Sequence, residues 1–248
     1  MKTKTRLYLP DRLHDATLTL TGEEAHYLVQ VLHSEVGDGV IVFGMESTES
    51  LFRIEEIEPG QVHLERLEIR QVETESPVDL TLVVAVGKGK KLEEIVEATT
   101  ALGIKRIIPF VGRHSVAKKS NPRLQERLQI IAKEACRQSR RTQPPEIDPV
   151  HPKLERALDS LGPKQGTWVL FDEAGGDSLS EIVRASDASA QWVMFCGPEG
   201  GWSPKERELF DQAGCRRASL GPRILRTELA AVVAVGILEN LLSQPPKG

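Results

Sequence analysis

Two rhythms of apolar and polar residues divide the chain. Up to residue 72 the apolar segments are short, at 7–9, 17–20, 40–43, 51–54 and 62–67. Turn-forming clusters, Gly37-Asp38-Gly39 and Pro59-Gly60 among them, separate these segments and predict a series of short strands. One helix interrupts the series. Thr21 and Glu24 have capping-box spacing, and Ala25, Leu28, Val29 and Leu32 form one apolar stripe at helical period. Several strands with one helix predict a small β-barrel over residues 1–72. The polar, acidic run 72–77, ending in Pro77, predicts a linker.

Beyond the linker the rhythm becomes strand, helix, strand. Residues 80–86 are apolar but for Thr81; Leu92, Ile95, Val96 and Leu102 mark a helix face, Gly103 ends it, and 107–110 is the next strand. Residues 168–171 and 192–196 are two more apolar strands. Near-continuous apolar strands alternating with helices imply a parallel sheet covered on both faces. The fold class is therefore α/β, with a small β-barrel domain (1–72) before a mainly parallel α/β domain (73–248). A further helix should run from Pro122 to about Gln138, with Asn121 as N-cap and Pro122 at its first position. Leu124, Leu128, Ile131, Ala132 and Ala135 line one side of it, and Arg123, Arg127, Arg137 and Arg141 the other. The apolar run 229–238 is shorter than the roughly 20 residues a bilayer span needs. It predicts a core or interface helix.

Charge changes this picture locally. The chain of 248 residues has a formal net charge of −4, yet 113–141 holds nine Lys/Arg and two acids, a net +7 that leaves −11 elsewhere. Such a stripe reads either as a polyanion footprint or as a solvated helix face. The three cysteines, Cys136, Cys196 and Cys215, are far apart and form no metal-ligand spacing, and the six histidines are scattered. No disulfide framework and no metal site is expected. The first residues carry charge without an apolar stretch behind them, so a cytoplasmic protein is expected rather than a secreted one.

Three strand-to-helix turns could carry chemistry. Gly87-Lys88-Gly89-Lys90-Lys91 fits neither the P-loop pattern nor the dinucleotide fingerprint, and reads as a basic turn or a phosphate contact. Cys196-Gly197-Pro198-Glu199-Gly200-Gly201-Trp202-Ser203-Pro204-Lys205-Glu206 leaves a buried strand and enters a helix with Ser203 as N-cap, Pro204 at its first position and Glu206 completing a capping box. Paired glycines there let a ligand approach backbone, at the strand end where open α/β sheets bind ligands. The carboxylate of Glu199 would repel a pyrophosphate but suits a sulfonium, an amine or ribose hydroxyls. A plain glycine turn is the alternative. The third turn, Leu220-Gly221-Pro222-Arg223-Ile224-Leu225-Arg226-Thr227-Glu228, offers an apolar pair between arginines before the last helix. It reads as a wall for a flat ring, or simply as a helix start with Thr227 as cap.

These two loops resemble those of the SPOUT class of methyltransferases and, more closely, the RsmE family, which methylates N3 of one uridine in small-subunit (16S) ribosomal RNA. The match covers the whole chain. Residues 197–201 match G-P-E-G-G and 220–228 match L-G-P-R-I-L-R-T-E. Residues 98–103 and 107–109 resemble the family's first βαβ unit, 113–116 and 134–141 its basic segment, and 26–32 its N-terminal helix. Leu229 departs from the family, which more often carries a small hydroxyl residue there, and His114-Ser115 is a minor variation.

The resemblance implies a PUA-like RNA-binding barrel (1–72), a SPOUT-like domain (73–248) with a deep trefoil knot, and a homodimer. It implies S-adenosylmethionine as cofactor, with no metal. Leu170, Phe171, Gly197, Pro198, Glu199, Gly200, Gly201, Leu220, Gly221, Ile224, Leu225 and Arg226 would hold the cofactor. Arg226 and Glu228 would serve catalysis. Arg12, His26, Lys88, Lys90, Arg113, Lys118, Arg137, Arg140 and Arg141 would meet ribosomal RNA, within the small subunit near its decoding region. Two other readings stand beside this one: a SPOUT enzyme acting on a ribose 2′-hydroxyl or guanine N1, and a non-catalytic RNA-binding protein.

Overall fold

The computed structural model describes residues 2–45, 47–113, 115, 122–186 and 191–243. The chain divides into two compact units, one comprising 1–75 with 136–143 and the other 76–135 with 144–248. The division falls three residues beyond the expected boundary, and the end of the basic helix joins the N-terminal unit.

The N-terminal unit is a five-stranded sheet. Strands β1 (Thr3–Tyr8), β2 (Thr17–Thr21), β3 (Gly39–Met45), β4 (Thr48–Glu58) and β5 (Gln61–Gln71) stand in the order β1-β3-β4-β5-β2, antiparallel except for the β1–β3 pair. All five expected strands are present, and the β4–β5 turn is Pro59-Gly60. Helix α1 (Gly22–His26) continues as a π-helical turn over Tyr27–Val31, so the expected helix is present with its second half widened. Thr21 occupies the N-cap, but its side chain makes no capping bond. Alternate strand residues, including Leu18, Leu20, Val40, Val42, Phe52, Ile54, Val62 and Leu64, join Ala25 and Leu28 in one buried core.

Charged groups fasten residues 140–143 within this unit. Glu75 accepts hydrogen bonds from Arg141 Nη2 at 2.7 Å, Thr142 N at 2.7 Å and Gln143 N at 3.2 Å. These donors hold its carboxyl below the usual range, against the opposing effect of its burial. Arg6 donates to the carbonyls of Arg140 and Arg141 and pairs with the buried Glu49, which also takes Arg70.

The second unit is built on a seven-stranded, wholly parallel sheet. Its strands are β6 (Asp79–Ala85), β7 (Arg106–Phe110), β8 (Glu146–Ile147), β9 (Thr167–Phe171), β10 (Asp177–Ser178), β11 (Gln191–Cys196) and β12 (Arg216–Ser219), in the order β10-β12-β9-β11-β6-β7-β8. Helices α2 (Lys91–Ala101), α3 (Pro122–Ser139), α4 (Leu154–Leu161), α5 (Leu179–Arg184), α6 (Pro204–Gln212) and α7 (Thr227–Ser243) connect or follow these strands. The apolar strands are continuous because both faces are covered. Leu80, Leu82, Val84, Trp192 and Met194 pack on one side with residues of α2, α3, α5 and α7. Val83, Ala85, Val193 and Phe195 pack on the other with residues of α4 and α6. Helix α3 matches expectation, although its expected cap Asn121 lies outside the described residues. No helix among the described residues is long and apolar enough to cross a membrane.

Candidate functional site

Strands β9, β11 and β12 are neighbours, and their carboxyl ends release three loops that enclose a cavity of about 500 Å³. Residues 172–175 form one wall, 197–199 with 201–202 a second, and 220–225 a third, with Thr227 and Ala230 of α7 completing it. The volume lies within the usual range for small-molecule sites, and the position is where open α/β sheets bind ligands.

Each wall is pinned. Trp202 is buried, donates from Nε1 to the Phe171 carbonyl at 2.8 Å, lies parallel to Phe110 at 6.0 Å and meets Phe210 edge-on at 4.7 Å. The capping box read from the sequence is complete: Ser203 Oγ accepts from Glu206 N while Ser203 N donates to Glu206 Oε2 at 2.8 Å. Thr227 Oγ1 donates to the Gly197 carbonyl at 2.9 Å, tying the second wall to the start of α7 rather than capping that helix. Asp172 receives Nε and Nη2 of Arg207 at 2.7 and 2.9 Å and accepts from Ala174 N at 3.1 Å, fixing the first wall.

The Asp172 side chain is fully buried, and its arginine partner holds the carboxyl below its ordinary value of 3.8. The stabilisation it contributes is full above that ordinary value and is lost as pH falls through the lower folded value. Asp172→Asn is expected to cost about 3 kcal/mol at neutral pH, as when one partner of a buried pair is removed. The gap between the two proteins should narrow below pH 3.8. Urea midpoints across pH for both proteins check it.

Two glycines are required by the geometry. A side chain on Gly197 would place Cβ 2.8 Å from Trp202 Cε2, and Gly201 has φ +69°, with its would-be Cβ 2.7 Å from Glu173 Oε1. The cavity thus offers bare backbone, apolar surface from Leu220 and Leu225, and the carboxylates of Glu173 and Glu199 on its walls. That combination fits an adenosyl group bearing a positive sulfonium and amine, and opposes a polyphosphate.

A family model described as an RNA methyltransferase domain matches residues 74–239. The chain is 32% identical over 233 residues to the ribosomal RNA small subunit methyltransferase E of Synechocystis, covering 94% of this chain and 76% of that protein. It is 30% identical over 229 residues to the protein of the same name from Bacillus subtilis, covering 90% and 89%. The chain belongs to the ribosomal RNA small subunit methyltransferase E (RsmE) family. A solved RsmE from Neisseria gonorrhoeae bound to S-adenosylmethionine superposes with a TM-score of 0.87 at 27% identity, covering 96% of this chain and 97% of that one. A methyltransferase structure from Legionella pneumophila with bound S-adenosylmethionine gives 0.85 at 26% identity, covering 97% and 98%.

Within this RsmE-family frame, Phe171, Gly197, Pro198, Glu199, Gly201, Leu220, Gly221, Ile224 and Leu225 line the cavity. Gly200 is exposed in the same loop, while Arg226 and Glu228 lie immediately beside lining residues without forming the wall. Leu170 packs instead into the core with Phe195 and Phe210, because successive strand side chains point to opposite faces.

The basic residues fall into two groups. Lys88, Lys90 and Arg113 are exposed in the second unit. In the first, His26 and Arg140 are exposed, Arg12 pairs with Asp15 at 3.3 Å, and Arg137 lies 4.7 Å over the Tyr27 ring. Arg141 is 4% exposed and bound to Glu75, so its charge is spent inside the fold rather than offered to RNA. Lys118 lies outside the described residues. Sequence reading missed Asp172 and Glu173, and placed Lys91 and Trp202 in candidate turns without giving either a role of its own. An acidic pair directly after an apolar strand (Asp172-Glu173) was the available signal for the first two.

Proposed function

We propose that this protein transfers the methyl group of S-adenosylmethionine to N3 of a uridine in small-subunit ribosomal RNA. The observation that carries the proposal is the three-loop cavity at the carboxyl ends of β9, β11 and β12, with bare glycine backbone and carboxylates on its walls. Bound S-adenosylmethionine supplies an electrophilic methyl on a cationic sulfonium.

The protein's own residues divide the remaining tasks. Backbone at 197–201 and 220–225 holds the adenosyl group, while Glu173 and Glu199 face positive charge. Ile224, 87% exposed at the rim, offers an apolar surface to an incoming base. Arg226, exposed between two wall residues, stabilises the negative charge that uracil acquires on losing its N3 proton. Glu228 supports this loop.

Cysteine chemistry favours nitrogen over carbon methylation. Methylation of uracil at C5 calls for a thiolate to add to C6. Burial pushes the thiols of Cys136, Cys196 and Cys215 up to about 12, which disfavours a thiolate at neutral pH. Nitrogen needs only to lose its proton. The decisive experiment incubates the protein with small-subunit ribosomal RNA and isotopically labelled cofactor, then identifies the nucleosides by mass spectrometry. Label in N3-methyluridine is expected. Label in a 2′-O-methyl nucleoside or N1-methylguanosine would assign the enzyme to another member of the class.

The N-terminal unit, under this proposal, selects the RNA. Lys88, Lys90 and Arg113 in the second unit contact phosphates near the cofactor site. Replacing these three with glutamine should weaken RNA binding and reduce its salt slope by roughly two to three, since each phosphate contact contributes about 0.7–0.9. Cofactor affinity should persist in calorimetry. An unchanged slope would leave the three as solvated surface.

The proposal extends to a cytoplasmic homodimer with the trefoil knot of the class. Leu229 (50% exposed) and Ile237 (38%) stand eight residues apart on one face of α7, an apolar surface suited to a second copy. Strand β12 is inserted between β10 and β9, after which the chain returns past the Gly197 loop, a route compatible with such threading.

A further inference from the structure

We propose that Lys91 is a positioning residue for the cofactor site, its single ammonium tying both cofactor loops together through Glu199 and Glu228. The inference rests on the cofactor reading above. Lys91 is the first residue of α2 and belongs to none of the three walls. Its Nζ stands 2.6 Å from Glu199 Oε1 and 3.3 Å from Glu228 Oε2. Glu199 belongs to the second wall. Glu228 is the second residue of α7, next to the cavity-lining Thr227 and three residues beyond the third wall. One cation thus joins segments that are distant in sequence, Lys91 and Glu199 being 108 residues apart.

The contact is built into the packing. Side-chain exposures are 26% for Lys91, 32% for Glu199 and 16% for Glu228. Gly87 leaves room for the lysine stem: a Cβ there would lie 3.0 Å from Lys91 Cδ and 3.4 Å from Glu199 Oε1. Lys88 and Lys90, in the same turn, remain exposed and reach neither carboxylate. The hydrogen bond with Glu199 raises the Lys91 ammonium above its ordinary range, and Lys91 lowers the Glu199 carboxyl in return. Both therefore stay charged at neutral pH.

This arrangement has a functional consequence. Glu199 presents a carboxylate to a cationic ligand while being held from behind. Without Lys91, Glu199 is free to rotate, two carboxylates face each other without a cation, and both loops lose their common anchor. Ordering them then falls to the cofactor itself, and its affinity drops accordingly. The chemical step, made after both loops are ordered, changes little.

The test compares Lys91→Met, Lys91→Arg, Glu199→Gln and the double variant Lys91→Met/Glu199→Gln with the parent protein, after circular dichroism confirms the fold. Calorimetry reads S-adenosylmethionine affinity. Amide hydrogen exchange of the cofactor-free protein reads the order of 197–201 and 220–226. Lys91→Met should weaken affinity on the order of tenfold, the scale of one close charge pair. It should raise KM for the cofactor, leave kcat at saturation near the parent value, and speed exchange in both loops. Lys91→Arg should restore affinity and protection, and the double variant should bind no worse than the weaker single one. Unchanged exchange in Lys91→Met overturns the inference, as does parent-like affinity or failure of arginine to rescue. If the parent itself binds no S-adenosylmethionine, the cofactor reading fails, while the exchange comparison still decides whether Lys91 ties the loops.

Discussion

Gly197→Val is expected to abolish useful cofactor binding while the chain still folds cooperatively. The substituted Cβ would stand 2.8 Å from Trp202 Cε2 and 3.1 Å from its Nε1, closer than side chains tolerate. The indole has nowhere to retreat. It is 4% exposed, lies between Phe110 and Phe210, and is fixed by its bond to the Phe171 carbonyl. The Gly197 carbonyl is likewise held by Thr227 Oγ1. Relief must come from moving the indole or the loop, and each is part of the cavity wall. Overpacking of this kind costs about 1–3 kcal/mol of stability. Displacing a wall by even an ångström costs catalysis on the order of 10²-fold. Calorimetry with S-adenosylmethionine, paired with a urea transition, separates the two effects. Parent-like affinity in a folded variant would place the cofactor away from this loop.

The parallel sheet was legible because both its faces are covered, which leaves 192–196 apolar throughout and 80–86 apolar but for the buried Thr81. The two-residue strands β8 and β10 were not, since no period can be read over so short a run. Helices α4 and α5 also escaped notice: at 8 and 6 residues, they show too few turns of stripe. The two glycine loops were legible through local chemistry, a capping box in one case and a Gly-Pro turn in the other.

What could not be read was pairing across the chain. Arg141 belongs to the same sequence stripe as Arg137 and Arg140, yet Glu75, 66 residues away, takes its charge. Lys91 looked like one lysine of a basic turn until Glu199 and Glu228 were brought to it by the fold. Periodicity assigns a residue to a face, but partners of opposite charge brought together by tertiary structure decide whether that face is free to bind. The neighbours Leu170 and Phe171 show the same limit at finer scale, one in the core and one on the cavity wall.

Arg226→Lys is expected to keep the fold and the cofactor affinity and to lose turnover on the order of 10²-fold or more, the scale seen when one preorganised stabilising donor is removed. Arg226 is exposed, sits between the wall residues Leu225 and Thr227, and its backbone carbonyl accepts from Ala230 N at 2.8 Å at the start of α7. The backbone is therefore anchored while the guanidinium remains available to a substrate. Uracil is neutral at N3 near pH 7 and attacks a methyl group only as its anion, whose charge spreads to O2 and O4. A guanidinium offers paired donors in a fixed plane to such an oxygen. Lysine keeps the charge and loses that geometry. The signature is in the pH dependence: raising pH supplies more uracil anion from solution and should recover part of the lysine variant's rate, narrowing its gap to the parent. Single-turnover transfer from saturating cofactor, measured across pH for both proteins, gives the comparison directly. Near-parent rates for Arg226→Lys at neutral pH would assign Arg226 to the structure of the loop, and would turn the search for the charge-stabilising group to Arg223 on the same wall.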